Sequence, residues 1–130
     1  MRDSFLAAQI LAWLVPVLAL QNRLPLPRLI RIFEATGKGP PQPDRLYRAR
    51  RLTDGLLHRL FGGAFCMKRS LILFHFMTKW SVDGRIRFGV ARDGHDLKGH
   101  AWLEVDGQPW GEDSDVSDFK VVYSYPDDPA

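Results

Sequence analysis

Residues 62–107 read GGAFCMKRSLILFHFMTKWSVDGRIRFGVARDGHDLKGHAWLEVDG, and a change of period inside this stretch decides the fold class. From Cys66 the apolar Met67, Leu71, Phe74 and Met77 recur at the spacing of one helix face, up to about Trp80. Asp83-Gly84 then reads as a turn. Beyond it Ile86-Arg-Phe-Gly-Val-Ala-Arg92 alternates, and His100-Ala-Trp-Leu-Glu-Val105 runs straight into Asp106-Gly107, a strong hairpin signal. A helix followed by a small antiparallel sheet is therefore expected.

Upstream, Leu46, Ala49, Leu52, Leu56, Leu57 and Leu60 mark an amphipathic helix from Arg45 to Leu60, stopped by Gly62-Gly63. Ala35 to Asp44, with Gly37, Gly39, Pro40, Pro41 and Pro43, reads as an exposed loop. Before it, Leu24 to Phe33 forms an apolar stretch whose helical entry is set by Pro25 and Pro27. Phe5 to Leu20 is apolar apart from Gln9. That run falls short of the about 20 apolar residues that cross a bilayer, and Pro16 removes one of its backbone hydrogen bonds. A signal peptide competes, since Val17 and Ala19 are small, but the opening Met-Arg-Asp is weakly basic and a core helix is the reading adopted. Downstream, the acidic stretch Glu112 to Asp118 connects to a last strand at Val121 to Tyr125. The fold class is α+β: a helical arm over residues 1–60, then a helix and sheet over 61–130, in one domain of residues 1–130.

Composition narrows the function. With 130 residues, 45% hydrophobic and 25% charged, the chain is globular, and disorder or low complexity is excluded as an overall description. One cysteine, Cys66, and four scattered histidines allow neither a disulfide framework nor a zinc site of the usual Cys/His kind. Residues 1–60 carry ten Lys/Arg against four Asp/Glu, and residues 61–130 carry eight against eleven. This polarity does not read as nucleic-acid binding, because Arg45, Arg48, Arg50 and Arg51 follow no single groove-facing spacing. No GxSxG, Walker or GxGxxG motif is present.

Two residues stand out for chemistry. Cys66 begins a helix, where unpaired amides and the positive dipole end favour a thiolate; a buried, inert thiol is the competing reading. His100 opens a strand whose alternation puts it on one face with Trp102 and Glu104. The hairpin brings an acid opposite it in either of two registers. A two-residue turn on Asp106-Gly107 pairs Val105 with Gln108 and, by count, His100 with Asp113, whereas a three-residue loop with Gly107 as bulge pairs His100 with Glu112. Thiol, imidazole and carboxylate are the parts of nucleophilic acyl transfer. His58, His75 and His95 read as ordinary helix and loop residues, and Trp80, Trp102 and Trp110 as packing, with Trp110 also suited to a substrate groove.

Cys66-Met-Lys-Arg-Ser-Leu71, then Phe88-Gly-Val90, then Gly99-His-Ala-Trp-Leu-Glu-Val-Asp-Gly107 resemble, in that order, the B2-type leader peptidases of lasso peptide biosynthesis, a transglutaminase-like family also called McjB C-terminal. The resemblance covers about half the chain, and the arginine- and leucine-rich segment Leu24 to Leu60 is similar to that family's N-terminal part. It implies a papain-like arrangement with Cys66 as nucleophile, His100 as base and Glu112 at the position of the family's aspartate, neighbouring Asp113 being the alternative. Family spacing and the suitability of Gly107 for a bulge favour Glu112; the tighter hairpin favours Asp113. The implied reaction is cytoplasmic removal of the leader from a ribosomally made precursor, with no cofactor and no metal. Residues 1–60 show little of the strand pattern that a winged-helix leader-recognition domain needs. The implied partners are therefore the precursor leader, a separate B1-type recognition protein and an ATP-dependent lasso cyclase. Two other functions fit the same residues: a transglutaminase-like amidase or acyltransferase acting on another substrate, and a non-catalytic peptide-binding scaffold whose basic arm docks a partner or, less readily, a membrane surface.

Overall fold

Helix α4 (Cys66–Lys79) is apolar around nearly its whole circumference, and every side chain from Ser70 to Met77 is buried. It can be so only if other elements cover it on all sides. In the computed structural model, which describes residues 2–62, 65–111 and 116–126, three helices lie against it on one side and a sheet on the other. The helices are α1 (Arg2–Leu20), α2 (Leu26–Phe33) and α3 (Pro43–Phe61); the strands are β1 (Gly84–Asp93), β2 (Asp96–Val105), β3 (Gln108–Trp110) and β4 (Lys120–Tyr125). The α+β reading holds.

Each helix buries the stripe its period dictates. On α1, Leu6, Ile10, Leu14 and Val17 are buried, while Phe5, Leu11, Val15 and Leu18 on the other side are exposed. No helix among the described residues is long and apolar enough to cross a membrane. On α2, Leu29, Ile30 and Phe33 face inward, with Pro25 at the N-cap as the two prolines suggested. On α3, Leu46, Ala49, Thr53 and Leu57 are buried, and Gly62 ends the helix at φ 79°, its N–H donating to the His58 carbonyl. The Pro-rich loop is tied down at both ends: Ala35 N–H donates to Thr78 Oγ1 at 2.8 Å and Gln42 N–H to the Trp80 carbonyl at 3.0 Å. The buried side chains of the helical arm thus join those of α4, β1 and β2 in one cluster running from Leu6 to Leu103.

The sheet has the order β3-β2-β1-β4, with every pair antiparallel. Alternation sends Ile86, Phe88, Ala101 and Leu103 into the core, and puts Arg87, His100, Trp102 and Glu104 on the opposite face. Glu104 there accepts from Arg87 Nε at 2.6 Å and from its Nη2 at 3.0 Å.

Two turns differ from the sequence expectation, and a third is decided between two. The reversal after α4 is made by Ser81, at φ 59°, and Gly84 already belongs to β1. Strand β2 starts at Asp96 rather than His100, because a two-residue turn at Gly94-His95 lets Asp93 pair with Asp96 and extends the ladder through Leu97, Lys98 and Gly99. Those residues alternate poorly on their own; cross-strand pairing makes them a strand. The third turn is the Asp106-Gly107 hairpin. Both residues are left-handed, at φ 55° and 76°, and Val105 pairs with Gln108, so the turn is the two-residue form and Gly107 is not a bulge. Aspartate tolerates that conformation, and the resulting twist matches the strands it joins.

Candidate active site

Cys66 is the first residue of α4 and is partly buried. The helix start aims its thiol at β2, where the His100 side chain hydrogen-bonds to it and the Ala101 backbone meets it, while the Met67 amide approaches from the helix itself. Burial pushes the thiol up, but the hydrogen bond and charge of His100, together with the Ala101 and Met67 backbone contacts, outweigh it and hold the thiol below its ordinary value. A thiol held low beside an imidazole is chemically suited to act as a nucleophile.

His100 lies in the middle of β2, not at its start. Its ring forms a three-ring cluster with Trp102, with centroids 5.7 Å apart, and Phe119, at 5.2 Å, the latter two being 6.1 Å from each other. Trp102 can lie there because β1 has Gly89 beneath it; a Cβ at that position would come within 2.9 Å of the indole. Phe119, which the sequence reading did not single out, comes from the turn before β4 and packs against both the imidazole and the indole.

Glu112 and Asp113 lie outside the described residues. What precedes them is described. Strand β3 pairs with β2 only as far as Leu103 and Trp110, and Gly111 follows at φ 64°. The observed two-residue turn therefore removes the loop geometry that favoured Glu112. The Gly111 carbonyl accepts hydrogen bonds from Arg50 of α3 and Arg69 of α4, and Asp54 binds the same two side chains. Sequence reading missed this group. Its one local signal is the i,i+4 spacing of Arg50 and Asp54, which is common on solvated helix faces.

The remaining candidates are placed elsewhere. His75 is buried, its Nδ1 lying 3.0 Å from the Phe33 carbonyl and its ring 4.0 Å from Trp13 by centroid, so it is a satisfied core residue. His58 and His95 are exposed. Trp80 and Trp102 are buried, and Trp110 packs against Tyr47 at 5.1 Å. A cavity of about 260 Å³ is lined by Phe5, Leu6, Arg45, Arg48, Lys79 and Trp80 among others. It opens at the opposite end of α4 from Cys66, roughly 20 Å away along the helix, and is not part of this site. Among the described residues no group of three or more His, Cys, Asp or Glu is placed to hold a metal ion.

Residues 11–124 match the family described as the transglutaminase-like superfamily. The match begins within α1 and ends within β4, so it takes in the helices as well as the Cys66 helix and the sheet. No curated protein and no solved structure gives a significant match.

Proposed function

The chain belongs to the transglutaminase-like superfamily, and from that premise we propose that it is a cysteine peptidase that removes the leader from a ribosomally synthesised lasso precursor peptide. The observation that carries the catalytic part is the contact between the Cys66 thiol at the start of α4 and the His100 imidazole on β2. The choice of substrate rests on the resemblance of the Cys66, Phe88 and Gly99–Gly107 segments to the B2-type family.

In this reading the Cys66 thiolate attacks the carbonyl carbon of the scissile bond, and the oxyanion so formed collapses as protonated His100 gives its proton to the departing amine. The leader is left as a thioester on Cys66, and the core peptide departs with a free amino terminus. Water, losing a proton to His100, attacks the thioester; the carboxylic acid leaves and Cys66 is restored. An acidic residue from Glu112 or Asp113 would fix the imidazole tautomer and stabilise its protonated form. Family spacing favours Glu112; the β2–β3 ladder ends at Leu103 and Trp110 and Gly111 leaves the strand at φ 64°, so the register of the turn does not choose between the two.

The leader would be delivered by a separate winged-helix recognition protein of the B1 type, and the freed core peptide passed to an ATP-dependent lasso cyclase, all in the cytoplasm. In support, the described residues before Gly84 are helices and loops, without the strands of a winged helix, and they are spent on covering α4. The test is mass spectrometry of a lasso precursor incubated with the protein and a recognition partner. Two fragments whose masses sum to the precursor plus one water are expected. An amine adduct in place of the hydrolysed product would make the protein an acyltransferase, and unchanged precursor would leave it a binding scaffold.

A further inference from the structure

Arg69 lies one turn along α4 from Cys66, and its guanidinium joins three elements. Nε donates to Asp54 Oδ1 of α3 at 2.5 Å, and Nη2 donates to the Gly111 carbonyl just past β3. Arg50, one turn before Asp54, donates from Nε to the same carbonyl at 3.1 Å and lies 3.7 Å from Asp54 Oδ2. Two guanidinium groups thus converge on one backbone oxygen with a carboxylate between them. The Arg69 side chain is only 11% exposed, so its charge is withdrawn from water and needs these partners. Gly111 is shaped to receive them: its φ of 64° suits glycine, and a Cβ there would come within 2.8 Å of Arg50 Cδ and Nε and 3.2 Å of Arg69 Nη2.

The position of this clamp relates it to the chemistry. A strand of three residues has little hold of its own on β2, and the clamp anchors its outgoing end to the first turns of the helix that carries Cys66. Arg69 thus ties the helix start to the end of β3, the strand paired with the β2 that carries His100. Resting on the reading of Cys66 and His100 as the reacting pair, we propose that Arg69, with Arg50 and Asp54, is a positioning group that sets α4 against the β2–β3 hairpin and so holds the thiol in register with the imidazole.

Because the chain has one cysteine, alkylation by iodoacetamide reports on Cys66 alone. The wild-type protein should show a rate-against-pH profile with its inflection below that of a free thiol. Gly111→Ala and Arg69→Lys both keep every charge near the site, so a shift in either reports position and not the loss of a cation. Gly111→Ala pushes the guanidinium groups off the carbonyl; Arg69→Lys replaces a fork that serves two acceptors by a single point charge. Each should move the inflection upward by about one unit and lower the alkylation rate at neutral pH about tenfold, with the helical circular dichroism signal kept. A folded variant of either kind that follows the wild-type profile, even with a lowered Tm, overturns the proposal and leaves the clamp a purely structural tie. A wild-type profile typical of a free thiol would instead sink the Cys66–His100 reading on which the proposal stands.

Discussion

At the scale of single residues, the site is a thiol whose surroundings work against each other. Burial raises its proton affinity, and the imidazole with nearby backbone groups lowers it further than burial raises it. Cys66→Ala should abolish precursor cleavage while keeping the fold, since it removes the sulfur from a partly buried helix start at little cost in volume; cleavage assayed by mass spectrometry beside circular dichroism checks this. His100→Ala should reduce cleavage by about 10²–10⁴-fold, the usual contribution of a positioned base. The third member is open to a direct comparison. Family spacing points to Glu112, and the ladder with β2 ends at Trp110, before either candidate. Glu112→Gln is therefore expected to slow single-turnover cleavage strongly and Asp113→Asn to change it little. The reverse result would give the role to Asp113, and two wild-type rates would make the enzyme a Cys66–His100 dyad.

Helix α1 shows at the element scale why an apolar run need not be a membrane or export segment. Its side chains at 6, 10, 14 and 17 fill the space beside α4, including the neighbourhood of Trp13 and His75, while Phe5, Leu11, Val15 and Leu18 remain exposed. The two faces should respond differently to substitution. Ile10→Ala and Leu14→Ala should each destabilise by about 2–5 kcal/mol, the range for truncating a buried aliphatic side chain. Val15→Lys should stay within about 0.5 kcal/mol of wild type, as an exposed site does. Urea unfolding of the three variants measures both. Equal losses on the two faces would mean that something covers the outer face in solution.

At the scale of the whole molecule, one buried histidine ties three helices together. His75 joins α4 to α2 through the Phe33 carbonyl and to α1 through Trp13. Burial lowers its pKa; the hydrogen bond to Phe33 raises it, the charge of Lys79 lowers it, and the net value lies below the ordinary 6.5. The folded protein therefore keeps this ring neutral where the unfolded chain already takes up a proton. Below about pH 6.5 the unfolded state binds more protons, so stability falls as the pH drops through that value and levels off once the folded His75 also titrates. Urea midpoints between pH 7.5 and 5 should show this decline, and His75→Gln should remove the part of it due to this ring.

Much of this was legible in the chain itself. The period of Met67, Leu71, Phe74 and Met77, the Gly62 stop, the Pro-rich loop and the Asp106-Gly107 turn are local signals, because capping, turn conformation and helix or strand period act over a few residues. They determined the α+β class and the helix start at Cys66. What required tertiary structure is whatever depends on partners far along the chain. Leu97, Lys98 and Gly99 became strand by pairing with residues before the Gly94-His95 turn. The choice between two allowed hairpin registers fell to the pairing of Val105 with Gln108. Phe119 reached His100 from the turn before β4, and Arg50, Asp54 and Arg69 met at Gly111 from two helices and a strand end. Sequence fixes which groups are available and which local conformations they favour; distances between groups remote in the chain are set only when α4 is buried between the helices and the sheet.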